Sequence, residues 1–528
     1  MNRLVVLVGC VALAAYGTFG AVEVSSIFSD HMVLQRGKPV PVWGTAKPGE
    51  KVAVSFAGAS ATAIADAKGA WEAKLPALEI SKEGRAFTVR GENEIVFKDV
   101  LVGDVWLITG QSNAEMRMAE VLDKDKEMAT SKDYPTIRAT KFAHRRALYP
   151  AKDPCNSPWT VCTAETLPGV TAIGWFFARE IVRETGIPIG ILDNNWGGCC
   201  IEPYISREGF ASVPELKSYS DKLEKQLADL KAGQPKQRYD AAVRELNAWQ
   251  AYASERIKAG KPIEFYPYRV PADAFLAGQH NAMIAPISRL PIAGIAWYQG
   301  CSNAGEGESH VAKLQALVNG WRSFWGAETP VYIVQLSTWK DKTTDPAGGD
   351  GFARIRNGQR IAAEKIPHSA LVVTIDIGAD NNWDIHPKNK LDAGVRLAKP
   401  ALRDVYGRKD LVASGPLYDG FAREGDSLRI RFRSCGSGLM AGDKAPHSPG
   451  IAPVPAADGK LRGFAVAGAD RKWQWADARI DGATVVVSAP DVKEPVAVRY
   501  AHRMNPQGAC NLYNREGLPA SPFRSDNW

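Results

Sequence analysis

The chain has 528 residues, of which 45% are hydrophobic and 23% charged, values ordinary for globular protein at a length that predicts two or three domains rather than one core. Lys and Arg number 65 against 58 Asp and Glu, but the basic residues are scattered with no dense run, so nucleic acid is not expected as a partner. Met1-Asn2-Arg3 is a short positive start, Leu4 to Ala15 is apolar and small residues follow, which predicts a secretory signal over residues 1–21 and a secreted or periplasmic location. No Asn-x-Ser/Thr acceptor occurs, which favours a bacterial origin, and no later apolar stretch approaches the ~20 residues of a membrane span. Removing the leader takes Cys10 and leaves an odd number of cysteines; Cys155 and Cys162 are close enough to bridge a local loop, and Cys435 with Cys510 would tie the C-terminal region.

Residues 22–100 read as a small β-sandwich: short alternating runs such as Lys51-Val52-Ala53-Val54-Ser55-Phe56 are punctuated by Gly and Pro. Residues 101–408 alternate strand and helix patterns. Ile173, Phe176, Phe177 and Ile181 mark one helix face and Val311, Leu314, Leu317, Val318 and Trp321 another, so this part predicts a parallel sheet with helices on both sides. A segment over about residues 206–278, rich in Lys, Glu, Gln and Ala, interrupts the alternation as a helical insertion, with a hairpin break near Gly233-Gln234-Pro235. Residues 409–528 return to β patterning, for example Ser427 to Phe432 and Ala483 to Ser488.

Four apolar runs in the α/β region end in polar turns. Val105-Trp106-Leu107-Ile108 leads to Gly110-Gln111-Ser112-Asn113, and Ile189-Gly190-Ile191-Leu192 to Asn194-Asn195-Trp196-Gly197-Gly198. Ile295-Ala296-Trp297-Tyr298 leads to Gln299-Gly300-Cys301-Ser302-Asn303, and Leu371 to Ile375 to Asp384-Ile385-His386. If the strands are parallel these turns share the carboxyl edge, where open α/β sheets place their ligands. A serine hydroxyl needs a base and a group to orient that base. His386 is the candidate base, and Asp376, Asp380 and Asp384 precede it. Pro387 is expected to open the following helix. Ester hydrolysis also needs oriented N–H donors for the oxyanion. Gly197-Gly198 would let backbone approach, while Gln299 and Asn303 offer amide N–H. The Gly-x-Ser-x-Gly elbow of α/β-hydrolases is absent around Ser112. Cys199, Cys200 and Cys301 fall in two of these turns without metal-ligand spacing, and read as small buried thiols.

At these residues the chain resembles the SGNH-type esterases and, within them, the sialate O-acetylesterase family. The similar blocks are Gly110-Gln111-Ser112-Asn113, Trp196-Gly197-Gly198, Trp297-Tyr298-Gln299-Gly300 and Asp384-Ile385-His386-Pro387. The stretches Phe28 to Gln35 and Glu516 to Phe523 are similar to the family's ends. The resemblance implies an SGNH-hydrolase-like three-layer α/β/α parallel sheet flanked by N- and C-terminal all-β regions. It implies Ser112 as nucleophile, His386 as base, Gly198 and Gln299 in the oxyanion hole, and Gln111, Asn113, Gly197 and Asn303 as substrate-binding. The expected substrate is an O-acetylated sugar or sialoglycan, with no cofactor or metal. Two departures stand out: Cys199 and Cys301 replace polar residues of the family pattern, and Trp383 occupies the position three before His386 where SGNH esterases commonly place Asp. Asp384 is the expected third member, with another acid or a Ser-His dyad as alternatives. The functional alternatives are an acetylesterase for xylan- or pectin-type polysaccharide and an inactive glycan-binding protein.

Overall fold

The computed structural model describes residues 21–231, 235–263, 276–379 and 381–528, so the leader and the hairpin break at 232–234 lie outside the described residues. It is a mixed α/β protein whose central element is a six-stranded parallel sheet. In chain order its strands are β1 (Glu94–Gly110), β2 (Ile137–Lys141), β3 (Ile189–Asn195), β4 (Gly294–Tyr298), β5 (Val331–Val334) and β6 (Ser369–Val372). Their spatial order is β2-β3-β1-β4-β5-β6, and Thr160–Val161 adds an antiparallel edge beyond β2. The chain runs out to β2, returns to β3 beside β1, and then crosses to β4 on the other side. The strand order therefore reverses at β1, and a crevice is expected at its carboxyl end.

Every residue of β3, β4 and β5 is buried. Strands covered on both faces read as continuous apolar runs, and the sequence does so at each of them. Alternate side chains enter two separate cores. Trp106, Ile108, Ala296, Tyr298, Tyr332 and Val334 join one core with helices α2 (Ala172–Thr185) and α5 (Lys390–Asp404). Val105, Leu107, Ile295, Trp297, Val331 and Ile333 join the other with helix α3 (His310–Trp325). All four positions of the first predicted helix face are buried in α2, whose N-cap Thr171 accepts a hydrogen bond from Gly174 N–H. Between α3 and α5, helix α4 (Gly351–Lys365) packs beside α3 and β6. Helix α5 begins at Lys390 rather than at Pro387, because Asn389 supplies the cap by accepting from Asp392 N–H at 3.2 Å.

Strand β1 is 17 residues long and changes character along its length. Its first half alternates exposed and half-buried and pairs antiparallel with Ser81–Arg90. From Val100 onward it is buried throughout, and it ends between β3 and β4. Residue 100, where the sequence suggested a domain boundary, thus lies inside one continuous strand.

Residues 417–524 form three further antiparallel sheets. They are joined to the α/β region by buried polar contacts. Arg356 donates to the carbonyls of Ser337 at 2.7 Å and Met504 at 3.2 Å. Within 206–278 the described elements are helical, Arg207–Ala211, Lys217–Lys231 and Pro235–Lys258. Seven cysteines are described and all are free, so neither suggested disulfide is formed.

Candidate active site

Gly110 closes β1 in register with Asn195 of β3 and Tyr298 of β4. Its φ is +141°, and a Cβ here would overlap the Tyr298 carbonyl oxygen, so both conformation and space require glycine. The chain then turns sharply, Gln111 N–H donating to Tyr298 O at 3.1 Å, and Ser112 opens the one-turn helix α1 (Ser112–Glu115).

His386 lies on the loop between β6 and α5. Ser112 Oγ and His386 Nε2 are 2.8 Å apart, and His386 Nδ1 and Asp384 Oδ1 are 2.8 Å apart. The same Asp384 oxygen accepts the backbone N–H of His386 at 2.9 Å. A spacing of two residues lets one carboxylate hold both the backbone and the ring of its partner. With Nδ1–H donated to the carboxylate, Nε2 is left to accept the serine hydroxyl proton. Asn381 shapes the loop by accepting Trp383 N–H with its side chain and Asp384 N–H with its carbonyl, both at 2.9 Å. Trp383 points to solvent, 61% exposed, while its carbonyl accepts Trp339 Nε1–H. Asp376 is excluded as the orienting acid because Arg396 holds it through two bonds of 2.6 and 2.8 Å. Asp380 lies outside the described residues.

Ser112, Asp384 and His386 line a cleft of about 870 Å³ together with Glu115, Arg117, Lys124, Lys141 and Lys388. Arg117 is paired with Glu120.

Four of the expected site residues face inward instead. Gln299 is fully buried, and its Nε2 donates to Cys199 O at 3.1 Å and Asn303 Oδ1 at 2.7 Å. Its amide protons are engaged within the protein, which corrects its expected oxyanion role. Asn303 is likewise buried, donating to Glu202 at 3.1 Å and Glu306 at 3.0 Å. The Gln111 side chain accepts Gly300 N–H at 3.0 Å, and Asn113 donates to Ile385 O at 2.8 Å. These amides join strand-end turns to one another and are not placed to touch substrate. Gly197 packs against Ser112, a Cβ there lying 3.5 Å from that of the serine, but its N–H donates to Glu115 Oε2 at 2.6 Å. Gly198, at φ +74°, has open space beside it, and neither its N–H nor that of Ser112 makes a hydrogen bond among the described residues.

Glu115 was not singled out from the sequence. It stands one helical turn after Ser112, and that i, i+3 spacing was the available signal. Its Oε1 is 2.7 Å from His144 Nε2, and His144 stacks on Trp196 at 4.8 Å. Burial works to raise its pKa, yet the His144 bond and charge, the Gly197 N–H and Lys141 hold the carboxyl below its ordinary value.

Asp193, near the end of β3, is fully buried, and its Oδ1 accepts Asn195 Nδ2–H at 2.7 Å. Burial pushes its carboxyl up from 3.8 to about 6, against the pull of Lys141 and Asn195. The unfolded carboxyl ionises first as pH rises, so this group lowers stability progressively between about pH 4 and pH 6, by about 3 kcal/mol once the folded form is ionised. Asp193→Asn should therefore raise Tm at about pH 8 and leave it unchanged at about pH 4. Equal shifts at both pH values in a melting series would show that the carboxylate is not the cause.

No family model matches the chain. It is 26% identical to the sialate O-acetylesterase of Mus musculus over 438 residues, covering 74% of this chain and 75% of that protein. The Homo sapiens protein of the same name is also 26% identical, over 74% of this chain and 73% of its own length. The crystal structure of a carbohydrate acetylesterase from Xanthomonas citri superposes with a TM-score of 0.78 at 31% identity, over 96% of this chain and all of that one. A mixed α/β fold shared with that enzyme along its whole length makes this protein an esterase. The chain belongs to the sialate O-acetylesterase family.

Proposed function

We propose that this protein is an exported carbohydrate esterase that hydrolyses O-acetyl esters of sialic acids through an acetyl-serine intermediate, on an SGNH-like three-layer α/β/α scaffold with β regions on either side. The observation that carries the reading is the unbroken hydrogen-bonded series from Ser112 Oγ through His386 to Asp384 at the edge of a polar cleft. Ser112 Oγ attacks the acetyl carbonyl as its proton passes to His386 Nε2. The tetrahedral oxyanion is received by the N–H groups of Ser112 and Gly198. Collapse breaks the ester C–O bond, the imidazolium returns its proton to the leaving sugar oxygen, and an acetyl-serine remains. Water then attacks with its proton going to His386, and acetate leaves as Ser112 recovers its hydrogen. Asp384 stays ionised throughout, orienting the imidazole and stabilising its cation. Export rests on the leader at residues 1–21.

Charge favours an acidic sugar over neutral xylan. Arg117, Lys124, Lys141 and Lys388 line the cleft against the carboxylates of Glu115, Glu120 and Asp384, an excess of one positive charge. A substrate carboxylate would balance that excess. The alternative of a broader polysaccharide acetylesterase draws on the likeness to the Xanthomonas citri enzyme. Acetate release from O-acetylated sialic acid, acetylated xylan and a chromogenic acetate separates the readings. Sialic acid esters should be preferred, with a KM that rises with ionic strength. Preference for xylan, without salt dependence, would select the alternative; no release from any of the three would leave a glycan-binding role.

A further inference from the structure

Lys390, the first residue of α5, is 1% exposed, and its ammonium has no carboxylate within ion-pair distance among the described residues. A buried cation without a counter-ion is costly, and a filler such as Met would occupy the same space without that penalty. Its two acceptors are neutral oxygens, each next in sequence to a site residue. Nζ donates at 2.7 Å to Oδ1 of Asn113, the neighbour of Ser112, and at 2.7 Å to the carbonyl of Pro387, the neighbour of His386. Asn113 in turn donates Nδ2–H at 2.8 Å to the carbonyl of Ile385, on the other side of His386. Three bonds from two side chains thus tie the turn of the serine to both flanks of the histidine, across more than 270 residues of sequence.

The need for such a tie is geometric. Ser112 is fixed by the end of β1, but His386 lies on a loop with no strand partner, between β6 and α5. We propose that Lys390 is a positioning residue which, acting through Asn113, keeps the His386 loop in register with the Ser112 turn. The Tyr298 ring lies 5.6 Å from the ammonium, and burial, opposed by the Cys301 thiol and Asp384, pushes its pKa down to about 7. This inference rests on the reading that Ser112 and His386 carry the chemistry.

The test is Lys390→Met, Asn113→Ala and the double variant, assayed beside Ser112→Ala for kcat, KM and Tm. Loss of register is read in turnover and not in binding, so kcat should fall about 10- to 100-fold with KM within about twofold, while Tm stays near that of the parent. Because the two residues form one clamp, the double variant should be no slower than the worse single. Should Lys390→Met not fold, Asn113→Ala reads the same clamp from its other end. Full turnover in Lys390→Met beside an inactive Ser112→Ala overturns this inference alone. So do losses that multiply in the double variant, or a fall in activity that only tracks the folded fraction. Activity surviving in Ser112→Ala overturns the reading of the site and this inference with it.

Discussion

Ser112→Ala should abolish acetate release, lowering turnover by about 10⁵–10⁶, and His386→Ala should be nearly as inactive. The two act as a unit: without the imidazole the hydroxyl is a poor nucleophile, and without the hydroxyl the base has no nucleophile to activate. The double variant should therefore be no worse than either single, its remaining rate coming from binding and backbone N–H donors alone. The fold should be unaffected by the serine change. Ser112 Oγ bonds to His386 and to nothing else among the described residues, and Ala suits the first position of α1. Acetate release and melting temperature, measured on the same preparations, check both halves of this expectation. Retention of more than a few per cent of activity in a pure Ser112→Ala sample would remove the serine from the reaction.

What the sequence makes legible follows from which physical signals are local. Strands buried on both faces appear as continuous apolar runs, so β1, β3 and β4 and their shared carboxyl edge can be read directly, and with them the turn carrying Ser112. The pairing of Asp384 with His386 was reachable because it acts over two residues. The direction of a side chain within a turn is not local. Gln111, Asn113, Gln299 and Asn303 have the right chemistry at the right strand ends, but each faces a neighbouring turn that only the assembled sheet brings near. Lys390 was hidden for the same reason, as it sits at a helix start where a lysine is unremarkable in sequence. The partnership of Glu115 with His144, 29 residues apart, has no periodicity to announce it. The continuity of β1 through residue 100 was equally unreadable, since a change from antiparallel to parallel partners leaves only a shift from alternating to uniform burial.

Asp384→Asn should be impaired by more than tenfold yet remain measurably more active than Ser112→Ala. In a serine protease, the change from aspartate to asparagine at the orienting position lowers turnover on the order of 10⁴, because the amide favours the wrong imidazole tautomer and cannot stabilise the imidazolium. Two features of this site soften the loss. The Asp384 and His386 side chains are 38% and 33% exposed, so water can take up part of the charge stabilisation. An asparagine Oδ1 can also keep accepting the backbone N–H of His386, which holds the loop and favours the amide rotamer that still accepts Nδ1–H. Compensation by Asp376 is ruled out, since Arg396 and Tyr513 already hold that carboxylate. The expected loss therefore falls between about tenfold and 10⁴-fold, is seen in kcat more than in KM, and shrinks as pH rises and hydroxide assists deacylation. A kcat profile of the variant across pH checks this. Full activity at neutral pH would show that the imidazole needs no carboxylate and that Ser112 and His386 work as a dyad.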